Sequence, residues 1–214
     1  MTITSITRLK KRGQRFAISF DGGPDLEIAY GVLLKFKLQE GDTVNEKTVE
    51  TIEREDALLR AKDIGINYLS YRPRSSSELV GHLTRKAISG DVAEEVVARF
   101  RSLGMVNDLE FARMFVRDMI RKKSVGTALL RNKLRVKGVA RGLVDRVLDE
   151  LVSSEDQQKA AEDLISKRLK SRHASLSRLD TAARKKRLFE FLLRRGFSSD
   201  VARKTIQSKF RSEP

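Results

Sequence analysis

Apolar residues recur along this chain at helical intervals around three tight turns. Aligning Ala87, Gly138 and Gly196 places Leu83, Leu134 and Leu192 four residues upstream, with Ile88, Val139 and Phe197 immediately downstream. The same register matches Val92 with Leu143 and Val201, and Val97 with Leu148 and Ile206. The turns lie 51 and 58 residues apart, which predicts tandem helical units that each bury an apolar face.

Local punctuation sets the helix boundaries. A first helix is expected from Val49 to Tyr71, apolar at Leu58, Ala61, Tyr68 and Leu69, and Pro73 stops it. Ser75 and Glu78 have the spacing of a capping box. Asp91-Val92-Ala93-Glu94 offers a similar start for a helix ending near Leu103-Gly104, and Asn107-Asp108-Leu109-Glu110 opens the second unit. That unit carries Phe111, Phe115 and Met119 on one face, a basic break over residues 121–126, then Leu130, Leu134, Leu143, Val147 and Leu151. The third has Ala160, Leu164 and Leu169, a polar stretch over residues 171–180 read as a connector, then Leu188, Phe191, Leu192, Val201, Ile206 and Phe210.

The start of the chain has a different period. Phe16, Ile18 and Phe20 alternate as a half-buried strand does, and Asp21-Gly22-Gly23-Pro24 supplies a turn before a second strand from Leu26. Residues 32–36 read as a short helix or a further strand. The expected fold is therefore mainly α, made of tandem three-helix units after a small N-terminal β-hairpin element. Its divisions are 1–48 for the β element and 49–106, 107–153 and 154–214 for the three units.

Charge indicates the class of partner. The net charge is +15 and the pI about 10.3. Residues 1–56 hold 9 Lys/Arg against 10 Asp/Glu and residues 57–110 hold 8 against 7, whereas residues 111–154 hold 11 against 4 and residues 155–214 hold 16 against 8. A field concentrated in the second half attracts polyanions with an affinity that falls with salt. Solubility alone needs a net charge of only about 2 to 8 in a small domain.

Other chemistry finds little support. The chain has no cysteine, so disulfides and thiolate metal sites are excluded. No membrane span or secretory signal is legible, and a cytoplasmic location is expected. His82 and His173 have no metal-ligand spacing, and no phosphate-binding glycine loop is present. No catalytic residue, metal or cofactor is expected, and aromatic residues are too few for an extended base-stacking surface.

The basic runs are the candidate contacts. Arg113, Arg117 and Arg121 recur every four residues and share a helix face, continued by Lys122 and Lys123; Arg131 and Arg135 repeat the spacing beside Lys133 and Lys137. Rows of guanidinium groups suit carboxylates or phosphates. Arg184, Lys185, Lys186, Arg187, Arg194 and Arg195 form a second dense group, and Arg72 and Arg74 flank Pro73.

Tyr68-Leu69-Ser70-Tyr71-Arg72-Pro73-Arg74-Ser75-Ser76-Ser77-Glu78-Leu79, followed by Leu103-Gly104-Met105-Val106-Asn107-Asp108 and Phe111-Ala112-Arg113, resembles the RecX family of bacterial regulatory proteins. Gly126, Leu130, Leu134 and Lys137-Gly138-Val139 fit the same pattern, which covers residues 55–152 and continues more loosely through the third unit. Asn107-Asp108 departs mildly from the acidic pair usual there. The resemblance implies a non-enzymatic modulator of the RecA recombinase, with tandem three-helix units in an elongated, curved form. It implies binding to the filament on single-stranded DNA, limits on filament extension, and restraint of ATP hydrolysis, strand exchange and repressor cleavage. Recombination, DNA repair and the SOS response would follow from that activity. A monomer is expected, contact with double-stranded DNA stays open, and the alternative is a general DNA-binding or transcriptional regulator with a helix-turn-helix-like pair.

Overall fold

Three short antiparallel strands begin the chain and ten α-helices follow among the described residues. The computed structural model describes residues 1–10, 14–122, 124–172, 176 and 178–211. It divides into two units: residues 1–73 with 79–106, and residues 74–78 with 107–214.

In the first unit, β1 (Ile3–Arg8), β2 (Arg15–Phe20) and β3 (Leu26–Ala29) pair in the order β1-β2-β3, with Ile6 opposite Ile18 and Phe16 opposite Ile28. The predicted hairpin is β2-β3; β1 adds a third strand that the mixed polarity of Ile3–Arg8 had concealed. The chain then turns into α1 (Tyr30–Phe36), so residues 32–36 are helical, and Lys37 ends the helix in the left-handed region with φ 52°.

Helix α2 (Glu46–Ser70) starts three residues earlier than expected, because the Asn45 side chain accepts from the Thr48 amide at 2.8 Å. Its N-terminal half presents Ile52 to the sheet core of Ile3, Ile18, Leu26, Ile28 and Val32. Asp56 beside it accepts from Arg15 Nη2 at 2.9 Å and from the Ala29 amide at 2.7 Å, fastening β2 and β3 to the helix. The C-terminal half of α2 packs with α3 (Ser76–Arg85) and α4 (Gly90–Ser102) through Ala61, Leu79, Leu83, Val92, Val96 and Phe100. A Cβ at Gly65 would come within 2.7 Å of the Phe100 ring, which explains a glycine inside a helix, where it otherwise costs about 1 kcal/mol. Helix α4 begins at Gly90 with Ser89 at the N-cap, so Asp91 sits in the first turn and not at the cap.

The second unit holds α5 (Asp108–Lys122), α6 (Thr127–Val136) and α7 (Arg141–Leu151), then α8 (Ser154–Ser171), α9 (Thr181–Arg194) and α10 (Ser199–Arg211). Each trio closes on its own core. Leu130, Leu134, Val144, Val147 and Leu148 fill the first, and Ala161, Ile165, Leu188, Leu192, Phe197 and Ile206 the second. Within the polar stretch 171–180, Leu176 is buried in the third core, and residues 173–175 and 177 lie outside the described residues. Phe111 is in the core as its periodicity predicts, with Phe115 and Met119 packed against it.

One contact recurs within the second unit at equivalent positions. The Ser75 hydroxyl donates to the Lys137 carbonyl, the Ser76 amide donates to Asp108 Oδ1 at 2.8 Å, and a Cβ at Gly138 would overlap Ser77. Fifty-one residues on, the Gly126 amide donates to the Arg195 carbonyl at 2.9 Å, the Thr127 amide donates to Gln157 Oε1 at 3.1 Å, and a Cβ at Gly196 would overlap Leu129. In both places a carbonyl of a helix-ending turn accepts from the start of another helix, from the Ser75 hydroxyl in the first and the Gly126 amide in the second, and a side chain of a further helix satisfies an orphan amide of that start. The turn glycines have φ +71° and +86°. Ala87, in the matching turn of the first unit, has φ 60° and is exposed, so its methyl meets no such neighbour.

Candidate functional site

The fold sorts the basic residues by what already neutralises them. On α5, Arg113 is held between Glu110 and Glu150, the latter at 2.8 Å, and its side chain keeps only 21% exposure. Glu150 and then Glu110 hold this guanidinium's pKa above its ordinary value, while Arg113 holds the Glu150 carboxyl below the usual range. Arg121 and Lys122 both reach Asp118, at 3.2 and 2.9 Å, and keep the Asp118 carboxyl low, Lys122 more than Arg121. Arg117 stays exposed on the same helix, and Lys123 lies outside the described residues.

The α6 row is similarly engaged. Arg131 pairs with Asp145 at 3.0 Å, and Arg135 donates to Asn132 at 3.1 Å. Lys137 binds Glu78 at 2.8 Å and lies 5.8 and 5.7 Å from the centres of the Phe111 and Phe115 rings. That lysine is a fastener of the second unit, since the Glu78 it holds also completes the Ser75 capping box through bonds of 3.1 and 3.3 Å. Lys133 remains exposed. Arg72 donates to the Pro73 carbonyl at 2.9 Å in the first unit, and Arg74 is half-buried in the second. His82 stacks on Tyr68 with ring centres 3.8 Å apart, an ordinary packing role; His173 lies outside the described residues.

The third repeat is different. Arg187, Arg194 and Arg195 are exposed on or just after α9, and α8 contributes Arg168 and Arg172 to the same charged region. The Arg168 guanidinium lies 4.5 Å from the centre of the Phe191 ring and that of Arg195 lies 5.4 Å from it. Of Arg168, Arg187, Arg194 and Arg195, only Arg194 pairs with a described carboxylate, Glu190 at 3.9 Å. Burial, and then repulsion from Arg172, Arg187, Arg194 and Arg195, push the Arg168 pKa below its ordinary value. Lys185 rests 5.3 Å from the centre of the Phe210 ring, Lys186 is exposed and Arg184 is half-buried on the same helix.

Periodicity brings the α9 arginines forward, and Phe191 as a core position, but not Arg168 or Arg172. Arg168 sits beside Leu164, Ile165 and Leu169 and reads as the polar flank of a core helix. Only its approach to the Phe191 ring, which Arg195 also approaches, marks it. Among the described residues no group of three or more His, Asp or Glu side chains is placed to hold a metal, and no helix is long and apolar enough to cross a membrane.

These elements define a helical-repeat protein: three three-helix domains in tandem along the chain, preceded by a three-stranded sheet, with uncompensated positive charge concentrated in the third. Family models of the first, second and third RecX three-helix domains match residues 61–100, 107–148 and 155–206. The regulatory protein RecX of Oceanobacillus iheyensis is 32% identical over 213 residues, covering 96% of this chain and 75% of that protein. That of Bacillus subtilis is 32% identical over 199 residues, covering 93% and 74%. A crystal structure of regulatory protein RecX superposes with a TM-score of 0.70 at 28% identity over 94% of this chain and 96% of the other. A second, of RecX from Lactobacillus salivarius, gives 0.64 at 25% identity over 72% and 97%. The chain belongs to the RecX family of regulatory proteins.

Proposed function

We propose that this chain is a cytoplasmic, monomeric, non-enzymatic regulator of the RecA recombinase that binds the nucleoprotein filament and limits its extension. ATP hydrolysis, strand exchange and repressor cleavage by the filament are restrained as a result, and with them recombination, DNA repair and the SOS response. The observation that carries this reading is the match to all three RecX domains in order along one chain. The charge distribution supports it, because a filament on DNA presents a long anionic surface and a net charge of +15 favours association with it.

The contact set is drawn from the basic rows: Arg72, Arg74, Arg113, Arg117, Arg121, Lys122, Lys123, Arg131, Lys133, Arg135, Lys137, Arg184, Lys185, Lys186, Arg187, Arg194 and Arg195. Within it, the weight falls on Arg117, Lys133, Arg135, Lys185, Lys186, Arg187 and Arg195, which are exposed and pair with no described carboxylate. Filament growth on a long single strand, followed by light scattering, tests the reading. Addition of this chain below one copy per recombinase protomer is expected to stop growth; growth at the unperturbed rate with an excess of the chain contradicts it.

A further inference from the structure

The Arg168 side chain pairs with no described carboxylate. It carries a guanidinium against an aromatic ring, with a second guanidinium from a different element against the same ring. Phe191 is 9% exposed, so its ring is not a platform on which a base could stack. Two planar cations held at one ring, with Arg187 and Arg194 nearby, repel one another, and the nearest ion pair of the group is the long one to Glu190. An arrangement of that kind is stabilised by an anion from outside the chain. The fork geometry of guanidinium favours a tetrahedral oxyanion taken by two N–H donors at a time.

We propose that Arg168 and Arg195, set by Phe191, form a phosphodiester clamp in the third three-helix domain that holds the backbone of single-stranded DNA independently of base identity. The clamp deepens the reading of the chain as a filament regulator, and rests on it in that the strand held is the one a filament carries. Arg187 and Arg194 extend the clamp along the strand. Contacts of this type carry no sequence information and weaken with salt as condensed counterions are released.

Binding of the full chain to a fluorescent oligothymidylate, without recombinase and at several salt concentrations, tests the clamp. Arg168→Ala and Arg195→Ala are each expected to lower the salt slope by about 0.7, the value of one phosphate that the variant no longer neutralises. Arg168→Lys, which keeps the charge but lacks the fork, is expected to keep the wild-type slope while binding more weakly than the wild type, and its helical signal controls for folding. Arg203→Ala, which removes the same charge from α10, is expected to keep the wild-type slope. A strand with uncharged methylphosphonate linkages is expected not to bind. Slope reductions for Arg168→Ala and Arg195→Ala no larger than that for Arg203→Ala overturn the clamp. Displacement of the strand by polyglutamate as effectively as by unlabelled oligothymidylate also overturns it, in favour of an acidic protein surface. Because recombinase is absent, a negative result leaves filament regulation standing, and inertness toward recombinase leaves the clamp standing.

Discussion

Alanine at Gly138 is expected to destabilise the second three-helix domain far more than alanine at Gly104 destabilises its own surroundings, although the two backbones are nearly identical. Gly104 has φ +70° with nothing near its missing Cβ, whereas Gly138 has φ +71° with Ser77 in the way. The left-handed conformation costs an L-residue about 1–2 kcal/mol at either site. At Gly138 the methyl group also displaces the start of α3, which breaks the bond from Ser75 to the Lys137 carbonyl and the bond from the Ser76 amide to Asp108. Breaking them adds about 1 kcal/mol for the neutral bond and about 1.5–3 for the one to a carboxylate. The totals are about 1–2 kcal/mol for Gly104→Ala and about 3.5–6 for Gly138→Ala. Native-state hydrogen exchange reads each domain separately, through amides of Leu83 and Val97 for the first and of Leu134 and Leu148 for the second. Equal destabilisation at the two positions would refute the recurrent contact as a source of stability.

Other outcomes follow from the ion pairs. Asp56→Ala, which leaves Arg15 without its buried partner, is expected to cost about 3 kcal/mol in urea unfolding followed by circular dichroism. The Asp91 carboxyl is held at about 2, first by the Ser89 hydroxyl and then by Arg54. A depressed carboxylate pKa stabilises above the unfolded value of 3.8 and loses that contribution as pH falls toward about 2. Carbon-detected titration is expected to show the midpoint rising in Ser89→Ala and in Arg54→Ala. Arg113→Glu, which sets a third carboxylate beside Glu110 and Glu150, is expected to lower the melting temperature, whereas Arg195→Glu is expected to leave melting unchanged and to abolish filament inhibition.

The repeat was legible because its apolar positions are buried for the same reason three times. Leu83, Leu134 and Leu192 are each fully buried, and Ile88, Val139 and Phe197 lie within 4% of full burial. The turn residues were legible as a register but not as a packing requirement. Nothing local distinguishes Ala87 from Gly138; the difference is Ser77, 61 residues away along the chain. Strand β1 escaped notice because its single well-buried residue, Ile3, is followed by polar and half-buried positions. The basic rows were visible as spacing, but spacing does not give the sign of a neighbour on another helix. Glu150 on α7 and Asp145 opposite Arg131 decide which cations are spent, and Arg168 gains its meaning only from Phe191 and Arg195 on or after α9.

Hydrolysis of ATP by the recombinase on single-stranded DNA, titrated with this chain at two salt concentrations, tests filament regulation most directly. Inhibition at amounts below one per protomer, weakening at the higher salt, is the expected result. Undiminished hydrolysis at both salt concentrations, with the chain in excess over an intact filament, would contradict it.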